Sequence, residues 1–187
     1  GNIELTSVKG ELTFNTGSAD IELQDSQGEL SFNTGSGDIT ADGGSGTFRF
    51  NAGSGDIELS DLQGTFDVNT GSGDIETERV AMQGSGKFNS GSGNAVVSLS
   101  GDLDHSISVA SGSGDAKLDF NGAPIEGEVI MTANKRNGKI VAPFKFDREE
   151  TIEDGNSSPR IRKTAKLGDK DIEIKVSTGS GTAEISN

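Results

Sequence analysis

One short string returns along this chain at nearly constant spacing. It reads Gly17-Ser18-Ala19-Asp20-Ile21, then Gly35-Ser36-Gly37-Asp38-Ile39, Gly53-Ser54-Gly55-Asp56-Ile57 and Gly71-Ser72-Gly73-Asp74-Ile75. Looser copies follow at Gly91-Ser92-Gly93-Asn94-Ala95 and Gly112-Ser113-Gly114-Asp115-Ala116, a decayed one at Arg136-Asn137-Gly138-Lys139-Ile140, and a clear one at Gly179-Ser180-Gly181-Thr182-Ala183. Successive starts are 18, 18, 18, 20, 21, 24 and 43 residues apart. A fixed period near 20 is the mark of a solenoid, in which each unit buries its apolar face only against its neighbours. The chain then reads as about eight coils of 18–24 residues with one large insertion.

Each unit alternates polar and apolar residues on both sides of the glycine cluster, as in Thr65-Phe66-Asp67-Val68-Asn69-Thr70 and Asp74-Ile75-Glu76-Thr77. Alternation bounded by glycine reads as strand, turn, strand. Eighteen residues leave no room for a crossover helix, so coils must stack directly, about 4.8 Å apart. The fold class is therefore all-β: a single-domain parallel β-solenoid over residues 1–187. Ile57, Leu59, Leu62, Phe66 and Val68 do not recur every six residues, which favours a right-handed winding over the hexapeptide left-handed type.

Aligning the units gives columns. Leu12, Leu30, Phe48, Phe66 and Ile107 share one; Phe14, Phe32, Phe50, Val68, Phe88 and Val109 share another. Ile3, Ile21, Ile39, Ile57 and Ile75 share a third, continued by Ala95 and Ala116. These must face inward. Asn15, Asn33, Asn51, Asn69 and Asn89 form a polar column suited to amide-to-amide hydrogen bonds along the stack, with Asn134 as a further candidate. Arg49, Asp67 and Lys87 alternate in sign down an outward column.

Composition limits the chemistry. There is no Cys, Trp or Tyr and one His, which excludes thiolate and multi-His metal sites and a Cys nucleophile. Net charge is -14, which argues against nucleic acid and anionic membrane surfaces as partners. No apolar run has the length of a membrane span. The charge is uneven: residues 1–134 carry 5 basic and 21 acidic side chains, residues 135–187 carry 11 and 9.

Three features invite a functional reading. The column Asp20, Asp38, Asp56, Asp74 and Asp115 places carboxylates about 4.8 Å apart, where each pair repels by about 1 kcal/mol in water. The favoured reading is structural, each carboxylate accepting N–H bonds from its own Gly-Ser-Gly turn; a calcium ladder is the alternative. His105, beside Asp102 and Asp104, reads as a solvated loop residue rather than a catalytic base. Residues 143–171 break the repeat and read as an inserted hairpin or flap that caps the stack, with partner binding or self-association as its functional alternative. The insertion contains the loop Gly155-Asn156-Ser157-Ser158-Pro159, whose Asn156-Ser157-Ser158 is a glycosylation sequon of little weight. No catalytic, cofactor-binding or metal-ligating residue is assigned.

The Thr-Gly-Ser-Gly-Asp-Ile string, with Phe-x-Asn-Thr before it and Ile-x-Leu after it, resembles the bacterial β-strand-repeat family that carries an adhesin label, a domain of unknown function. The likeness covers residues 2–142 and resumes at 172–187. It implies a parallel β-solenoid on exported or membrane-anchored bacterial proteins, with the signal or anchor segment outside these residues, and brings no catalytic residues. The resulting expectation is a non-enzymatic extracytoplasmic module that acts as a cell-surface adhesin or interaction protein, with an unknown protein or glycan partner. A calcium- or ligand-binding solenoid is the alternative, and a polysaccharide-active β-helix enzyme is less favoured. An open first coil would be an edge prone to pairing, so either an upstream cap or an end-to-end contact between copies is expected there.

Overall fold

The computed structural model describes residues 1–153 and 158–187. Among them there is no helix. The strands are β1 (Asn2–Thr6), β2 (Lys9–Thr16), β3 (Asp20–Thr34), β4 (Ile39–Ala52), β5 (Ile57–Thr70), β6 (Ile75–Ser90), β7 (Ala95–Leu99) and β8 (Ile107–Ser111). They continue with β9 (Ala116–Asp119), β10 (Gly127–Asn134), β11 (Lys139–Val141), β12 (Arg148–Ile152), β13 (Arg160–Leu167), β14 (Glu173–Thr178) and β15 (Thr182–Ser186). Pairing is parallel throughout the stack, so the chain is a parallel β-solenoid.

Like lies on like. Phe14 pairs with Phe32, Phe32 with Phe50, Phe50 with Val68, Val68 with Phe88 and Phe88 with Val109. Phe32, Phe48, Phe50, Phe66 and Phe88 are buried, with ring centroids 5.5–5.9 Å apart. The isoleucine column runs in register from Ile3 to Ile75 and on to Ala95, Ala116 and Ala183. In the Phe66 column the next coil carries Gly86, with Ile107 beyond it. Met82 turns inward there: a Cβ on Gly86 would strike its terminal methyl.

The closing loops are more ordered than alternation alone implies. β3, β4 and β5 each run unbroken through the corner, and the register holds across it, with Ser26 on Gly44 and Gly44 on Leu62. Each of the first five coils bends at a residue with φ between 47° and 71°, Ser7, Asp25, Gly43, Asp61 and Arg79, and in the first four a further positive-φ glycine follows at Gly10, Gly28, Gly46 and Gly64. Short polar residues and glycine tolerate that region best; Arg79 occupies it while its guanidinium grips Asp61 of the coil before, at 2.7 and 2.6 Å.

The asparagine column forms the expected ladder. Each Nδ2 donates to the Oδ1 of the preceding coil: Asn33 to Asn15 at 2.8 Å, Asn51 to Asn33 at 2.8 Å, Asn69 to Asn51 at 3.1 Å and Asn89 to Asn69 at 2.9 Å. Asn134 is not part of it. Thr132 and Ser177 hold the equivalent positions, and Asn134 closes a turn by accepting from the Arg136 N–H. Replacing Asn51 with leucine breaks two rungs and is expected to lower unfolding free energy by about 1–3 kcal/mol, read by urea denaturation. The column Arg49, Asp67, Lys87 is in register, but Arg49 binds Glu29 at 2.6 Å rather than Asp67.

The order of coils in space departs from their order in sequence. β14 lies between β8 and β10, and β15 between β9 and β11. The clear repeat copy at 179–183 is thus an interior coil, while the decayed copy at 136–140 is outermost. Beyond β10, the sheet continues antiparallel through β13 and β12, the strands of the inserted segment 143–171. Its charges pair largely among themselves, Glu150 with Arg148 and Arg162, and Glu149 with Lys163. Its loop at 155–159 and the sequon at Asn156 fall largely outside the described residues. No helix among the described residues is long and apolar enough to cross a membrane.

Candidate functional site: the acidic sheet face

The repeat motif builds a turn that locks to the turn below. In coil after coil a Thr or Ser hydroxyl before the glycines accepts from the N–H three residues on. It also donates to a carbonyl of the preceding coil: Thr70 accepts from Gly73 and donates to Gly55 O at 2.8 Å, Ser111 accepts from Gly114 and donates to Gly93 O at 2.7 Å, and Thr178 accepts from Gly181 and donates to Gly114 O at 2.7 Å. The two motif glycines are required by contact. A Cβ on Gly53 or Gly55 would sit against the carbonyl oxygen of Gly35 or Gly37, closer than real Cβ atoms approach.

The aspartate column is wired the same way, with one change from expectation. Each carboxylate accepts from the following coil rather than from its own turn. Asp20 Oδ1 accepts the Asp38 N–H at 3.0 Å, Asp38 that of Asp56 at 2.8 Å, Asp56 that of Asp74 at 2.7 Å and Asp74 that of Asn94 at 2.6 Å. Asn94 and Asp115 continue the ladder to Asp115 and Thr182. An amide oxygen serves as well as a carboxylate, so the geometry needs an acceptor, not a charge. Asp56→Asn is therefore expected to stay within about 0.5 kcal/mol of the parent in urea denaturation, whereas Asp56→Ala removes the acceptor and should be clearly worse. Among the described residues no three His, Asp or Glu side chains gather in a way that could hold a metal ion.

Alternation places a second acidic column beside the first. Glu4, Glu22, Glu58 and Glu76 are in register, interrupted by Thr40, and all are exposed. Asp42 and Glu78 extend the face toward the corner. The segments 2–6, 20–24, 38–42, 56–60 and 74–78 contain no Lys or Arg. Depressions in this face are lined by acids of adjacent coils, one by Glu58, Glu76 and Glu78, another by Asp20, Glu22 and Asp38. The glutamate column was readable from the same repeat alignment that gave the aspartates, two residues further on in each coil.

His105 is exposed. Its neighbour Asp104 pairs with Lys170 Nζ at 2.8 Å, which also reaches Leu103 O at 3.0 Å and Glu126 at 3.6 Å. This junction was not legible in the sequence, because Lys170 lies far along the chain. The hydrogen bond and charge of Lys170 lower the Asp104 pKa, and that of Lys170 is raised chiefly by its bond to Asp104. The signs define a window. The depressed carboxyl favours the fold above about pH 4 and loses that effect as pH falls through its lowered pKa; the raised ammonium favours it below about pH 10 and loses that effect as pH climbs through its raised pKa. Thermal midpoints of the parent and Lys170→Met should differ between these limits and converge outside them.

Fold and surface together define a non-globular repeat module: a stack of coils with one carboxylate-rich face. A family profile described as Toastrack DUF4097 matches residues 1–128. The chain belongs to that family, a domain of unknown function. The match ends at the start of β10, so most of the outermost coil, the insertion, β14 and β15 lie beyond it. No curated protein and no solved structure is significantly similar to the chain.

Proposed function

We propose that this chain is a non-enzymatic, extracytoplasmic interaction module of adhesin type, which uses its acidic face to hold a cationic protein surface. The observation that carries this reading is the pair of carboxylate columns, held in register by a backbone locked coil to coil. A backbone so fixed loses little conformational entropy on binding. Its single sign of charge steers oppositely charged partners and makes the association sensitive to salt.

The non-enzymatic part draws support from the setting of the acids. They stand on regular strands, the chain's one histidine is exposed at a corner, and the aspartates already serve the stack. The extracytoplasmic part rests on the resemblance to exported and anchored bacterial repeat proteins. Fractionation of cells producing the full-length protein checks it; recovery in the cytoplasm would contradict it.

Binding is tested by screening the immobilised chain against protein and glycan panels, beside the variant Glu22→Gln/Glu58→Gln/Glu76→Gln. These glutamates make no ladder contacts to other coils, so the fold is expected to persist. Capture of basic proteins that weakens in the variant and in high salt supports the reading. Equal capture by both, or capture of neutral glycans alone, contradicts it.

A further inference from the structure

β14 and β15 come last in sequence yet lie inside the stack. After β9, residues 120–126 step over one level and begin β10 beyond it. Until β14 and β15 arrive, β8 and β9 face β10 and β11 across an unfilled level. The walls of that level include Val109, Leu118, Met131 and Ile140, and both bear open ladder edges. Ile174, Val176, Ala183 and Ile185 fill it and are buried. Unpaired edges and apolar walls of this kind capture strands.

The level is selective for its occupant. A Cβ on Gly179 or Gly181 would collide with the carbonyl oxygens of Gly112 and Gly114. The Thr178 hydroxyl and the Thr182 N–H complete the turn ladder on Gly114 and Asp115. A strand that carries a side chain at either glycine position cannot seat on this turn. The entry to the level is lightly held. Gly168, at φ 62°, and the exposed Asp169 and Asp171 form the connector, and Lys170 with the Glu173 N–H to Ser106 Oγ bond at 3.0 Å anchors it.

We infer that this level is a strand-exchange site, and that its partner is the 172–187 segment of a second copy of this chain. Exchange replaces each contact with an identical one from the partner, which makes swapping a low-cost route to association. Lys170 acts as the latch that keeps the segment at home.

The sequence has no cysteine, so introduced thiols report the exchange without background. Ser108 and Lys175 are register neighbours on the outward side of β8 and β14. Full-length Ser108→Cys and Lys175→Cys chains are refolded together and oxidised. The expected result is a cross-linked heterodimer as the main disulfide product, with little dimer from either chain alone. Adding Lys170→Met to both chains should speed its appearance roughly fivefold. The pair Lys117→Cys and Glu184→Cys, neighbours in β9 and β15, repeats the test on the other arm should the first pair fold poorly. The pair Lys87→Cys and Lys175→Cys, two levels apart, is the out-of-register control. Heterodimer no more abundant than this control, with either in-register pair, would overturn the inference.

Discussion

Replacing Phe50 with alanine is expected to lower unfolding free energy by about 3–5 kcal/mol, the range for a large buried aromatic. Phe50 is fully buried, with its ring 5.9 Å from that of Phe32 and 5.8 Å from that of Phe48. The cost should fall at the high end of what the site allows. A cavity is cheap only where the surroundings can collapse into it, and here the coils above and below are pinned by full ladders and by the asparagine rungs on either side of Asn51. Phe14, in the same column but half-buried in the first coil, is the internal comparison; its alanine variant should lose clearly less. Because neighbouring coils carry most of one another's stability in such a stack, amide hydrogen exchange should show the loss of protection centred on β3, β4 and β5.

The second large effect comes from adding one carbon. Gly53→Ala is expected to cost about 3 kcal/mol or more, at or beyond the upper end of ordinary overpacking. The obstacle is the Gly35 carbonyl oxygen, a backbone atom held by the stack, and not a side chain that can swing aside. Gly17 occupies the same motif position in the first coil, where an added methyl would meet nothing within 4 Å, so Gly17→Ala should be nearly neutral. The pair separates close approach from turn propensity, since both glycines open a Gly-Ser-x-Asp-Ile turn and neither has positive φ. Equal destabilisation of the two by thermal melting would mean that the turn, and not the stacking, demands glycine.

The repeat was legible because stacking repeats its constraint at every level. A file of Phe or Asn in the sequence is the same file in space, and the inward columns, the amide ladder and the parallel pairing all follow from that. What could not be read was any feature in which neighbours in space are not neighbours in the repeat. The insertion of β14 and β15 one level before β10 is of this kind, as is the Lys170–Asp104 contact. One hint was present. Motif fidelity falls at Arg136-Asn137-Gly138 and returns at Gly179-Ser180-Gly181. An outermost coil has no following coil to press on it, so decay marks the end of the stack and not the end of the chain. The aspartate turn was half legible: the need for an N–H partner was clear, but the donor came from the next coil because backbone N–H groups at that corner point along the stack.

The acidic face follows from the same logic, since Asp and Glu recur at two fixed outward positions of the repeat, with Thr40 the exception in the glutamate column. Everything in this fold depends on stacking in register, with residues 173–186 intercalated between β8–β9 and β10–β11. Methyl-to-ring and methyl-to-methyl nuclear Overhauser effects on the full-length protein test it most directly. In-register stacking places the Val68 methyls against the rings of both Phe50 and Phe88, and Ile174 against both Ile107 and Val129. Val68 contacts to only one ring, or Ile107 and Val129 in direct contact with each other and not with Ile174, would contradict it.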